Sequence, residues 1–229
     1  MRFLFLFLAV SSLGYTASDL TAKVKAQAKG WDVLESAEGD LNGDGIADIA
    51  AILFQGDVEA AAQAESPPPA PLRVYFADKS GNVKLAVEAP KATCVHCGGM
   101  KGGPVPFSLQ IAKGVFQLTY SGGSRYAYAV TTKWRYQKGG FYLIGITATD
   151  VDTAGSDVGA IVGIERDVNL STLAMVEKIE KIRSATPDGE RKTTGTEKRC
   201  KVPASFQKKR LEEYDVEESE VPKCTSVSL

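Results

Sequence analysis

Between residues 73 and 148 the chain passes through six short strand-like stretches separated by turns, and this spacing restricts the fold more than any other feature. The stretches are 73–76, 84–87, 107–111, 115–120, 126–136 and 141–148. Turn chemistry lies between them at Ser80-Gly81-Asn82, Ala112-Lys113-Gly114, Gly122-Gly123-Ser124 and Lys138-Gly139-Gly140, where glycine accepts the positive φ of a tight turn. Such short connections cannot cross over a sheet, so successive stretches pair as antiparallel neighbours. Phe107, Leu109 and Ile111 alternate with Ser108 and Gln110, the period of a strand with one face on a core. The expected class is mainly β, a β-rich α+β fold: an antiparallel meander with peripheral helices.

The remaining segments are arranged around that meander. Residues 19–29 are rich in helix formers and stop at Gly30, which predicts one short helix. Pro67, Pro68 and Pro69 exclude helix and central strand, leaving an extended surface connection. Leu173, Met175, Val176, Ile179 and Ile182 fit an amphipathic helix over 171–182, with a strand as the alternative because Ile161, Val162, Ile164 and Val168 lead into it. Residues 185–198 read as a polar loop, and the charged stretch 207–214 reads as helix-prone with a solvated face. The expected organisation is a β-rich domain over 18–166 and a helical, polar C-terminal extension over 167–229.

Met1-Arg2 precedes the apolar core 3–10, which is too short to span a bilayer and is followed by small and polar residues. Residues 1–17 are therefore expected to be a secretory signal peptide, with cleavage after Gly14 or Ala17. No later apolar stretch is long enough for a stop-transfer segment, so a periplasmic or secreted protein with no membrane span is expected. With 27 basic and 28 acidic side chains there is no global field to attract nucleic acid, and Trp134-Arg135-Tyr136 is the single segment that interleaves aromatic and basic residues. Nucleic acid is therefore not an expected partner. A chain of 229 residues, 44% of them hydrophobic, can bury one large core.

The sharpest chemical pattern is GDLNGDGIAD, residues 39–48, just before the apolar run 49–53. Asp40, Asn42, Asp44 and Asp48 occupy positions one, three, five and nine of this loop, and Ile46 at position seven can offer its backbone carbonyl. Calcium takes about six to eight oxygen ligands in an adaptable shell, and Gly43 and Gly45 let the loop coil enough to turn oxygens inward. Position twelve, where an EF-hand places a bidentate Glu, is Ala51, so this is not an EF-hand. The alternative is a hydrated hairpin turn built on Asn42-Gly43 and Asp44-Gly45. That alternative gives no reason for an Asp at both ends of the loop. Asp150-Val151-Asp152 is too sparse to be a second copy.

The loop resembles the calcium loops of FG-GAP and VCBS-type repeats, in which an acidic turn joins two strands and an Asp at position nine closes the shell. One copy is found, where a β-propeller would need several. Together with Gly30-Trp31, CVHCGG, YSGGSRY and WRYQKGGFYLIG, residues 30–150 look like a family of exported bacterial proteins that carry a single FG-GAP-like segment. The resemblance implies architecture and a structural calcium ion, and no activity.

Cys94 with Cys97 and Cys200 with Cys224 form two groups, and in an exported chain each group is expected to be a structural disulfide. Cys94-Val95-His96-Cys97 contains the one histidine and supports competing chemistry. Haem attachment needs His directly after the second Cys, where Gly98 stands. A thioredoxin-like pair needs a helix N-terminus, yet residues 98–104 are glycine-rich with a proline. Zinc could use Cys94, His96 and Cys97, but no fourth ligand is evident and the second cysteine pair lacks knuckle spacing.

Catalytic patterns are otherwise sparse. G-x-S-x-G is absent around Ser121 and Ser124, and Glu35 with Glu38 is a carboxylate pair of undefined separation. The glycine turn beside Arg125 and Tyr126 could meet a ligand or partner, although a hairpin explains its glycines equally well. The sequence thus predicts an exported, noncatalytic, calcium-stabilised β-rich protein that binds a protein or small-molecule ligand. Its rival is a periplasmic thiol-disulfide redox protein using Cys94 and Cys97.

Overall fold

The structure, a computed structural model, describes residues 19–97, 107–152, 160–183 and 193–224. The expected signal peptide lies outside the described residues. Helix α1 (Asp19–Gln27) leads into strands β1 (Asp32–Gly39) and β2 (Asp48–Phe54), short helix α2 (Val58–Ala62), β3 (Leu72–Ala77) and β4 (Val83–Ala89). These four strands form one antiparallel sheet in the order β1-β2-β3-β4. A second antiparallel sheet of seven strands follows: β5 (Phe107–Ala112), β6 (Val115–Gly122), β7 (Tyr126–Gln137), β8 (Gly140–Asp152), β9 (Ala160–Asn169), β10 (Ala174–Arg183) and β11 (Thr193–Lys201). Each strand of both sheets pairs with its neighbour in sequence, which is the meander that the turn spacing predicts.

Strand β2 is buried along its whole length because both of its faces are covered. Ile52 and Phe54 point into a core shared with Phe116, Leu118, Trp134 and Phe141 of the larger sheet. Ile49, Ala51 and Leu53 point the other way, against Val24 and Ala28 at α1 and its end. The smaller sheet therefore lies between α1 and the larger sheet. The two sheets approach closely at Gly39, where a Cβ would stand 2.5 Å from Ile111 Cγ2. Nearby, the Leu109 amide donates to Glu35 Oε1 at 3.3 Å.

Of the two alternatives for 171–182 the strand holds: Ala174–Arg183 form β10, paired on both sides with β9 and β11. Ile179 lies opposite Ile164 and Met175 opposite Val168, so cross-strand partners decide a pattern that also fits a helical period. Strand β9 runs across the expected boundary at 166/167, and the larger sheet continues to Lys201. The stretch 207–214 forms 3-10 turns, Ala204–Lys208 and Leu211–Glu213, in place of an α-helix. It is not simply a solvated face, because Leu211 and Tyr214 are buried and Tyr214 packs edge-on against Trp134. The chain then crosses to the other sheet, where the Val216 amide donates to the Lys91 carbonyl at 2.9 Å.

Candidate functional sites

The acidic loop joins β1 to β2, with Gly43 and Gly45 at φ of +84° and +82°. Its side chains bind its own backbone. Asp40 accepts from the Gly43 amide at 2.7 Å and the Gly45 amide at 2.9 Å, one through each oxygen. Asn42 Oδ1 accepts from the Asp44 amide, and its Nδ2 donates to Asp44 Oδ2 at 3.1 Å. Asp44 Oδ1 accepts from the Ile46 amide at 2.8 Å, and the Ile46 side chain packs on the α1-side cluster.

Asp48 opens β2 and is fully buried. Its Oδ2 accepts from the Leu41 and Asn42 amides at 2.9 and 3.3 Å, and its Oδ1 accepts from the Ala77 amide of β3 at 3.0 Å. One carboxylate thus fastens the start of the loop to the end of the third strand. This supplies a structural reason for an Asp at the far end of the loop, which the sequence alone lacks. Burial pushes the Asp48 carboxyl above its ordinary value against the pull of these three amides, and the Asp44 charge pushes it up further.

The cysteine segment follows β4 and packs on the core shared by the two sheets. Cys94 is bonded to Cys97 across a sequence separation of 3, and Cys200 to Cys224 across 24, with no free cysteine among the described residues. Cys94 is buried, Cys97 is half-buried and His96 is exposed. His96 Nε2 stands 3.2 Å from Glu217 Oε1, on the segment that crosses back from the larger sheet. Lys91, Cys94, His96, Asp215 and Glu217 border one cavity of about 240 Å³. Among the described residues, the trio of His, Cys, Asp or Glu ligand atoms lying within 4.8 Å of one another is Cys94, His96 and Cys97. The loop carboxylates form no such trio.

Comparisons with protein-family models, with curated proteins and with solved structures found no match.

Other sequence candidates separate in space. Glu35 and Glu38 stand three residues apart on β1, which directs them to opposite faces of the strand. Gly123 is required by its turn, since a Cβ there would lie 1.9 Å from the Tyr126 carbonyl oxygen. Asp150 belongs to β8 and pairs with Arg166 Nη1 at 2.5 Å, while Arg166 Nε donates to Glu177 Oε2 at 2.9 Å. Arg166 and Glu177 are both buried, and Asp150 and Arg166 border a groove of about 810 Å³ with Tyr128, Ile164, Phe206 and Lys223. Sequence reading missed it because Glu177 falls in the stretch with helical spacing. Only the register that sets Glu177 opposite Arg166 brings the two together.

Among the described residues no helix is long and apolar enough to cross a membrane.

Proposed function

We propose that this is an exported, noncatalytic binding protein of the FG-GAP-like kind, in which calcium held by Asp40, Asn42, Asp44, the Ile46 carbonyl and Asp48 locks the β1–β2 connection. The observation that carries this reading is a charge surplus. Asp40, Asp44 and Asp48 lie within nine residues, and none of them has a partner in the described ion pairs. Asp48 is in addition desolvated. A divalent cation would offset both the mutual repulsion and the burial cost.

The amide bonds do not exhaust the oxygens, because an ionised carboxylate offers about four acceptor positions. Coordination at about 2.3 to 2.6 Å requires the loop carboxylates to draw closer together. Export is supported by the N-terminal apolar segment and by two disulfides, which persist in oxidising compartments. The groove beside Arg166 supplies a concave, mixed apolar and charged surface on which such a protein would hold a ligand.

Metal-free full chain is the material for the test. Calcium should raise its melting temperature and magnesium should do so less, since a rigid octahedral ion fits a flexible many-oxygen loop poorly. Asp44→Ala should remove most of the calcium increment, and Glu65→Ala, an exposed change away from the loop, should preserve it. Identical melting in excess calcium and excess chelator would rule out the metal. The rival redox reading is separated by the reduction potential of the Cys94–Cys97 pair, since a catalytic disulfide is far more oxidising than a structural one.

A further inference from the structure

We propose that the Cys94–Cys97 disulfide is the closed form of a metal site: once reduced, Cys94, Cys97 and His96 bind a zinc-class divalent cation, with Glu217 fixing the histidine. The claim is independent of calcium in the acidic loop.

Four observations converge on this segment. Two cysteines three residues apart have the separation of a paired zinc ligand set. Their sulfurs and a His96 ring nitrogen already lie within 4.8 Å of one another. A tetrahedral zinc site needs such atoms about 3.4 to 3.8 Å apart, a short contraction. His96 Nε2 faces Glu217 Oε1 at 3.2 Å; with the proton of a neutral ring on Nε2, that N–H would donate to the carboxylate and leave the Nδ1 lone pair for metal. The cavity of about 240 Å³ that Cys94, His96 and Glu217 share leaves space for a fourth ligand such as water.

The segment also keeps its place without the bond. Thr93 Oγ1 donates to the Ala70 carbonyl, Tyr128 Oη donates to the Cys97 carbonyl at 3.0 Å, and Val95 is buried in the core. Glu217 is delivered by a fixed strap: the Val216 amide is held by the Lys91 carbonyl, and Lys91 Nζ pairs with Asp215 at 2.9 Å. A bridge closing only three residues constrains the unfolded chain less than a longer one does, so opening it should cost the fold little. Cys97 is half-buried and open to attack by a thiolate.

The chemistry balances with a dithiol as reductant. One dithiol sulfur attacks Cys97 Sγ, the S–S bond breaks and Cys94 leaves as thiolate. The second dithiol sulfur then resolves the mixed disulfide, so the dithiol is oxidised and the protein gains two thiols. Zinc binding displaces the two thiol protons and leaves two thiolates on the metal. Disulfide and metal are mutually exclusive states of one segment.

The test reduces the full chain with a dithiol, removes the reagent anaerobically and titrates with zinc(II) alone against a chromogenic chelator. The reduced protein should bind one equivalent with release of close to two protons, and the oxidised protein should bind less than a tenth of an equivalent. Bound zinc should protect Cys94 and Cys97 from alkylation, as mapped by mass spectrometry. Cys97→Ser should abolish binding. Glu217→Gln, an exposed change, should weaken zinc by about 10- to 100-fold while leaving the melting temperature of the oxidised protein unchanged. Absence of binding by the reduced chain, equal binding by both forms, or protection of Cys200 and Cys224 in place of the first pair would overturn the proposal. An unchanged affinity in Glu217→Gln would overturn the part assigned to Glu217.

Discussion

The smaller sheet carries two aspartate-built turns, and they solve the same problem differently. In the β3–β4 turn, Asp78 Oδ1 accepts from the Ser80 and Asn82 amides and Oδ2 accepts from Asn82 Nδ2. Those bonds, Asn82 foremost, hold the Asp78 carboxyl below its ordinary value, and the Lys23 charge pulls the same way. In the β1–β2 loop, Asp48 also gathers amides, yet burial outweighs them and the charge that acts on it, Asp44, is of like sign. The first turn has a charge of opposite sign, Lys23, acting on its carboxylate. The second satisfies its hydrogen bonds but not its charge, and that residue of unmet charge is the case for a cation.

The largest expected break in this comparison is Asp48→Ala. It strips acceptors from three amides, two of them buried, while Asp78→Ala strips amides that water can reach. Urea unfolding should show Asp48→Ala losing about 2 to 4 kcal/mol and Asp78→Ala losing clearly less. Equal losses would show that burial does not distinguish the turns.

Next in size is the calcium increment. At a hundredfold excess over Kd, binding to the folded state alone adds about 2.7 kcal/mol. Asp44→Ala should remove most of that increment and Asp78→Ala none of it, read as the calcium-dependent change in unfolding free energy. A calcium increment lost equally in both variants would place the ion elsewhere.

The smallest effect is in pH dependence without metal. Asp78 is depressed in the folded state, so its contribution is present above the unfolded value of about 3.9 and fades as pH falls through the folded value. Asp48 is raised, so its contribution is present below about 3.9 and fades as pH rises through its folded value. Carboxyl titration by NMR should show Asn82→Ala moving Asp78 upward while Asp48 stays in place. An unmoved Asp78 would remove the assigned cause.

How much could be read from sequence follows from how far apart the interacting residues lie. The acidic loop was legible because all its oxygen donors fall within nine residues, and the meander as far as β8 because the turns at 80–82, 112–114, 122–124 and 138–140 each carry a glycine. Strand β10 was not, since Met175, Val176, Ile179 and Ile182 suit either period until β9 and β11 flank them. The buried Arg166 group and the Glu217 partner of His96 were equally invisible, because each depends on segments joined only by register or by the C-terminal strap. Asp48 was legible as a ligand type but not as a buried anchor, since nothing in GDLNGDGIAD announces the Ala77 amide.

Calcium titration calorimetry on the metal-free, oxidised full chain tests the central claim most directly. The account predicts one calcium per chain, lost in Asp44→Ala and retained in Asp78→Ala. Heat indistinguishable from dilution in the unaltered chain would contradict it, leaving the acidic loop as a second self-satisfied turn of the same sheet.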